Sequence, residues 1–121
     1  MSFKATVRHT GDVAIVDLDG RLTLGDGSGI LRGTIQDLIA EGSRKILLNL
    51  KQITYIDSSG LGELVSCNAT MSKAGGRIKL LNAETRVRDL LTATKIHTLF
   101  ENYSNEALAL ISFTGTEAAG A

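Results

Sequence analysis

The stretch Tyr55-Ile56-Asp57-Ser58-Ser59-Gly60-Leu61-Gly62-Glu63 concentrates the residues able to carry chemistry. It joins the end of a buried strand to the start of an amphipathic helix, the junction where ligands and modifications sit in open α/β folds. A helix start leaves backbone N–H groups unpaired and presents the positive end of the macrodipole. Ser58 and Ser59 fall at that end, beside Gly60 and Gly62, which let another backbone approach closely. A phosphoryl group there brings about −1.5 to −2 charge to a place where negative charge is favoured. The plainer role for Asp57, Ser58 or Ser59 is that of an N-cap. The two readings are compatible, because a capping hydroxyl is also a reachable one.

Other chemistries fit less well. A serine hydrolase needs a base, and His9 and His97 are the only histidines; His9 reads as part of a hairpin turn and His97 as part of the loop before the last strand. Asp57-Ser58-Ser59-Gly60 is also not Gly-x-Ser-x-Gly. A receiver domain would use Asp57 as its phosphorylated aspartate, but it needs an acidic pair after its first strand. Asp17 and Asp19 lie near the end of the second strand and two apart, and the chain opens with a hairpin. Gly25-Asp26-Gly27-Ser28-Gly29 before a helix suggests a phosphate-cradling loop, yet it lacks the Gly-Lys-Ser/Thr and the Gly-x-Gly-x-x-Gly spacing, and reads as a flexible turn. Asp17-Leu18-Asp19-Gly20 lacks the further acids of a calcium loop. One cysteine and two distant histidines build no metal site; Cys67 reads as a small buried or boundary residue and Met71 as core filler.

The elements that must position Ser58 follow from periodicity. Phe3, Ala5 and Val7, then Val13 and Ile15 with Val16 and Leu18 on the opposite phase, predict two antiparallel strands joined by a turn at His9-Thr10-Gly11-Asp12. The second strand ends at Asp19-Gly20. Leu31, Ile35, Leu38 and Ile39 predict a helix capped by Asp26 or Ser28 and closed at Glu41-Gly42. Lys45 to Leu50 reads as a buried strand, followed by Gln52 to Ile56. A second helix with Leu61, Leu64, Val65 and Ala69 inward runs to Gly75-Gly76. Ile78 to Leu81 is strand-like, Glu84 to Ala93 helical with Val87, Leu90 and Leu91 inward, and Leu99-Phe100 a short strand. Ser104 caps a last helix through Leu108 and Ile111. The order β-β-α-β-α-β-α-β-α predicts an α/β fold: a mixed sheet of about five strands with four helices. It forms a single domain over 3–113, with 114–121 a disordered tail.

Composition sets the outer limits. The 121 residues suffice for one core. Thirteen basic against thirteen acidic side chains give no net charge, which removes the signature of sequence-independent nucleic-acid binding and any attraction to an anionic membrane. No apolar run approaches a membrane span or a signal-peptide core. A lone cysteine fits a reducing cytosol, so the expectation is a cytoplasmic protein, monomeric when free.

Ile56-Asp57-Ser58-Ser59-Gly60-Leu61-Gly62 resembles the signature of the STAS domain, the sulfate-transporter and anti-sigma-factor-antagonist family. The resemblance extends to Ile46-Leu47-Leu48-Asn49-Leu50, Gly75-Gly76-Arg77-Ile78-Lys79-Leu80, Val87-Arg88-Asp89-Leu90-Leu91 and Leu99-Phe100. At this length it points to the bacterial anti-anti-sigma factors. The resemblance implies a protein that is not an enzyme and takes no cofactor. It implies partner switching: the unphosphorylated domain binds an anti-sigma factor that is also a kinase, freeing a sigma factor. Phosphorylation of Ser58 ends the complex, and a metal-dependent Ser/Thr phosphatase resets it. Asp57, Ser59, Gly60 and Gly62 then shape the switch loop. The partner surface combines this loop with the exposed face of the second helix, including Glu63 and Ser66, and with the Gly20 to Gly29 loop, including Arg21 and Thr23. Leu61, Leu64 and Val65 belong to the core by their spacing. The family commonly has Gly-Glu-(Leu/Ile)-Asp after its second strand, whereas this chain has Gly20-Arg21-Leu22-Thr23. A constitutive scaffold of the same fold, without phosphorylation, is the second reading.

Overall fold

The computed structural model describes residues 3–120, with side chains described through Thr114. Strands β1 (Lys4–Thr10) and β2 (Val13–Leu22) form the opening hairpin. Then come α1 (Ser28–Ala40), β3 (Lys45–Ile56), α2 (Ser58–Lys73), β4 (Arg77–Leu81) and α3 (Thr85–Ala93). A 3₁₀ turn (Ile96–Leu99), β5 (Asn102–Tyr103) and α4 (Glu106–Gly120) complete the order. The sheet runs β1-β2-β3-β4-β5. β1 and β2 are antiparallel and the other pairs parallel. This is the mixed α/β architecture expected from the alternation of elements.

Side-chain alternation in the central strands builds two unequal cores. Ala14, Val16 and Leu18 of β2, Ile46 and Leu48 of β3, and Ile78 and Leu80 of β4 face α1, α2 and α3. Each apolar side chain of this size taken out of water contributes roughly 1.5–3 kcal/mol. The opposite face, with Val13, Ile15, Leu47 and Leu81, is covered by Ala109 and Phe113 of α4. That second face is partly polar. Lys79, only 1% exposed, donates to Ser112 Oγ at 2.9 Å, lies 3.3 Å from Glu101 and sits over the Phe113 ring at 4.5 Å. Arg8 of β1 clamps Asp17 of β2 at 2.7 Å and Glu106 of α4 at 2.7 Å. α4 is thus pinned by two cations as well as by packing.

Several local expectations need correction. The turn is Gly11-Asp12, with Gly11 at φ +60°, and His9 belongs to β1, paired with Ala14. β2 continues past Gly20 to Leu22. The N-cap of α1 is Gly27, and neither Asp26 nor Ser28 caps it with a side chain. Residues 45–50 and 52–56 form one strand, because β3 absorbs an extra residue twice: Asp17 pairs with Asn49 but Asp19 with Gln52, and Gly20 with Ile53 but Arg21 with Tyr55. Each bulge shifts the phase, so Leu50, Ile53 and Ile56 all face the same core. In α2, Val65 is half-buried and Ala69 exposed, while Cys67 and Met71 are buried. Leu99 closes the 3₁₀ turn and Phe100 is a core residue; the last strand lies two residues further on. The cap of α4 is Asn105, which accepts from Leu108 N–H at 2.9 Å, and not Ser104. Leu108 and Ile111 point outward, since Ala109 and Phe113 carry the docking face. α4 takes in Thr114 and runs on past Ile111; side chains of the tail expected over 114–121 lie, from 115 on, outside the described residues.

Candidate functional site

The two bulges of β3 deliver Ile56 beside Leu22, and the chain turns directly into α2. Asp57 N–H donates to the Leu22 carbonyl at 3.4 Å. Asp57 is the N-cap in extended conformation: its Oδ1 accepts from Gly60 N–H at 2.9 Å and its carbonyl from Leu61 N–H at 2.9 Å. Of the three residues able to cap this helix, Asp57 takes the role. Ser58 is therefore released from it. Its side chain is exposed, and its hydroxyl has no hydrogen-bond partner among the described residues. Ser59 is half-buried.

Gly60 and Gly62 behave differently. A Cβ on Gly60 would collide with the Leu22 carbonyl oxygen and come within 2.8 Å of Ile56 Cγ1. Gly60 is what lets α2 start so close to the end of β2. Gly62 has open space where a Cβ would stand, so no neighbour within the chain demands it.

Beside the helix start, Arg21 lays its guanidinium over the Tyr55 ring, 4.9 Å from the centroid, and reaches Asp26 at 3.7 Å. Gly20, at φ +119°, sits where the second bulge begins, a conformation that suits glycine. The Thr23 carbonyl gathers the N–H groups of Asp26, Gly27 and Ser28 at 3.3, 3.0 and 3.1 Å. The glycine-rich segment is therefore a tight turn, with the amides of Asp26, Gly27 and Ser28 already used. Leu24, Ile30 and Tyr55 are exposed apolar side chains.

Glu63 is not on an exposed face. It is 6% exposed and held by Arg32 of α1, with Nη2 to Oε1 at 2.6 Å and Nε to Oε2 at 3.4 Å. It ties α1 to α2, so the expected exposure is corrected; Ser66 is exposed as expected. Cys67 lies 3.6 Å from Glu63 Oε2, and burial, with the carboxylate adding to it, pushes its thiol up to about 12. A thiol of that kind is inert. A cavity of about 60 Å³ separates the helices here, lined by Arg32, Gln36, Glu63, Ser66 and Thr70 among others. Neither the role of Arg32 nor the stacking of Arg21 on Tyr55 is visible in the sequence. Arg32 has no local pairing signal, because Glu63 is 31 residues away.

The competing chemistries lack their partners. His9 lies at the end of the sheet opposite Asp57, and His97 Nδ1 is 3.3 Å from the Leu91 carbonyl. Asp17 is bound by Arg8 and by Asn49 Nδ2 at 2.8 Å, so it forms no acidic pair beside Asp57. No group of three His, Cys, Asp or Glu able to hold a metal ion occurs among the described residues. No described helix is long and apolar enough to cross a membrane.

Comparison with known proteins agrees with this fold. The model of the STAS domain matches residues 4–109. The anti-sigma F factor antagonist of Paenibacillus polymyxa is 28% identical over 111 residues, 91% of this chain and 94% of that protein. Among solved structures, an anti-sigma factor antagonist from Mycobacterium paratuberculosis superposes with a TM-score of 0.81 at 19% identity, covering 92% of this chain and 93% of that one. The Bacillus cell fate determinant SpoIIAA in its phosphorylated form gives 0.69 at 21% identity, covering 93% and 99%.

Proposed function

The chain belongs to the STAS domain family, and from that premise we propose that it is an anti-sigma-factor antagonist switched at Ser58. Unphosphorylated, it binds an anti-sigma factor that is also a Ser/Thr kinase and so frees a sigma factor. Phosphorylation of Ser58 breaks the complex, and a Ser/Thr phosphatase restores it. The protein acts by binding, without catalysis or a cofactor, in the cytoplasm.

The observation that carries this reading is the division of labour in the first turn of α2. Asp57 caps the helix, which leaves the Ser58 hydroxyl exposed and unengaged. A phosphate on Ser58 meets the positive end of the helix, so the modified domain keeps its fold. The same phosphate adds charge and strongly bound water to a surface that also exposes the apolar ring of Tyr55, three residues before it. Docking an apolar or acidic partner patch then costs desolvation and repulsion. Asp57, Ser59, Gly60 and Gly62 shape the loop; Gly20, Arg21, Thr23, Glu63 and Ser66 border it, Glu63 by holding α1 against α2. Incubation with the co-encoded kinase and ATP should place one phosphate on the peptide containing Ser58, and Ser58→Ala should abolish it.

One observation favours a constitutive scaffold instead. Arg21 puts a cation on Tyr55 at the border of the site, where it offsets part of the charge that a phosphate adds. On that reading no co-encoded kinase modifies the protein, and its partner binds with unchanged affinity to Ser58→Asp.

A further inference from the structure

We propose that the outer edge of β1, with the groove between β1 and α1, binds an extended basic segment of a partner protein as an added strand. β1 is the first strand of the sheet and pairs only with β2, in an unbroken register from Lys4↔Asp19 to Thr10↔Val13. In an antiparallel pair alternate residues turn their N–H and C=O away from the neighbour, so an edge strand of seven residues without a bulge offers a row of unpaired groups. β5, at the other edge, has only two residues.

A groove of about 300 Å³ runs along this edge. Ala5, Val7 and His9 line it from β1, and Asp37 and Leu38 from α1 with Glu41, the C-cap of that helix. Val7 is 37% exposed although it lies on the core-facing side of the strand. Asp37 and Glu41, one helical turn apart, have no ion partner among the described residues. The floor therefore accepts an apolar side chain, and the rim asks for lysine or arginine two residues along an extended chain. Arg8, the cation nearest the middle of β1, is already held by Asp17 and Glu106 and repels a basic segment little. A second copy of β1 fits the rim poorly, because it would bring only Ala5, Val7 and His9 to the acids.

The test uses the full chain and a fluorescein-labelled peptide, Thr-Val-Thr-Lys-Thr-Val-Thr-Lys-Thr, at about 0.15 M salt, where exposed charges are screened beyond about 8 Å. The peptide should bind saturably and move the amide resonances of residues 4–10 and 34–41. N-methylation of its alternate amides should weaken binding at least tenfold, because strand addition rests on those donors. Asp37→Lys with Glu41→Lys should weaken it at least tenfold as well. No binding, equal binding of the N-methylated peptide, or resonance shifts centred on residues 55–66 would each overturn the proposal. Concentration-dependent dimerisation of the free protein that Val7→Lys abolishes would assign the edge to a second copy and also overturn it. None of these readouts involves a kinase, so they are independent of the switch at Ser58.

Discussion

Asp57 and Gly60 hold each other across the first turn of α2: the Asp57 carboxylate accepts the Gly60 amide at 2.9 Å. The missing side chain of Gly60 lets the same turn sit against the Leu22 carbonyl. Ser58, between them in sequence, is left with nothing to do inside the molecule. A reachable, unengaged hydroxyl at a helix start is what a modifying enzyme needs.

Asp57→Ala should cost about 1 kcal/mol of stability, the usual worth of an N-cap side chain, and Asp57→Asn much less. Urea denaturation of the three proteins measures it. A loss near zero for alanine would mean that Ser58 takes over the cap, and with it that the hydroxyl is not idle.

The two glycines at the start of α2 should part company. Gly60→Ala drives a methyl into backbone and should destabilise by about 1–3 kcal/mol or more. Gly62→Ala meets open space and should stabilise by up to roughly 1 kcal/mol through helix propensity. If Gly62→Ala leaves the free protein intact yet weakens partner binding, the space beside Gly62 belongs to the complex.

Acid should loosen the clamp on α4. Arg8 holds the carboxyls of Asp17 and Glu106 below their ordinary values of 3.8 and 4.5, chiefly through its hydrogen bonds to them. Carboxyls lowered in the folded state stabilise it fully above those ordinary values and cease to do so as pH falls through the lowered ones. Denaturation midpoints should therefore drop below about pH 4.5, and less steeply in Arg8→Ala. These groups are partly exposed, so solvent screening keeps the effect modest.

Cys67 should resist alkylation in the native protein at pH 8, since burial and Glu63 hold the thiol up to about 12, and should react rapidly once the chain is unfolded. Fast native labelling would show that the α1–α2 contact opens.

The sequence carried the element order, the hairpin and the Asp57–Gly62 turn plainly, because each rests on short-range patterning. It concealed whatever depends on distant partners. Two bulges in β3 move Leu50, Ile53 and Ile56 onto one face, and a strict two-residue alternation cannot register that. Glu63 looks like a surface acid until Arg32 comes to meet it. Leu99-Phe100 reads as a strand because both residues are apolar, but Phe100 is core beneath a 3₁₀ turn and the strand lies at Asn102–Tyr103. Leu108 and Ile111 suggested the inner face of α4, but Ala109 and Phe113 occupy it. The choice among Asp57, Ser58 and Ser59 as cap needed the hydrogen bond itself.

The most direct test of the proposed switch is the affinity of a candidate anti-sigma factor kinase from the same organism for two forms of this protein, one unmodified and one carrying phosphoserine at position 58, compared by calorimetry. Calorimetry should show binding to the unmodified form and at least a tenfold loss, about 1.4 kcal/mol, with the phosphoserine form. Both forms should show the same circular dichroism. Equal affinity for the two forms would contradict the proposed switch.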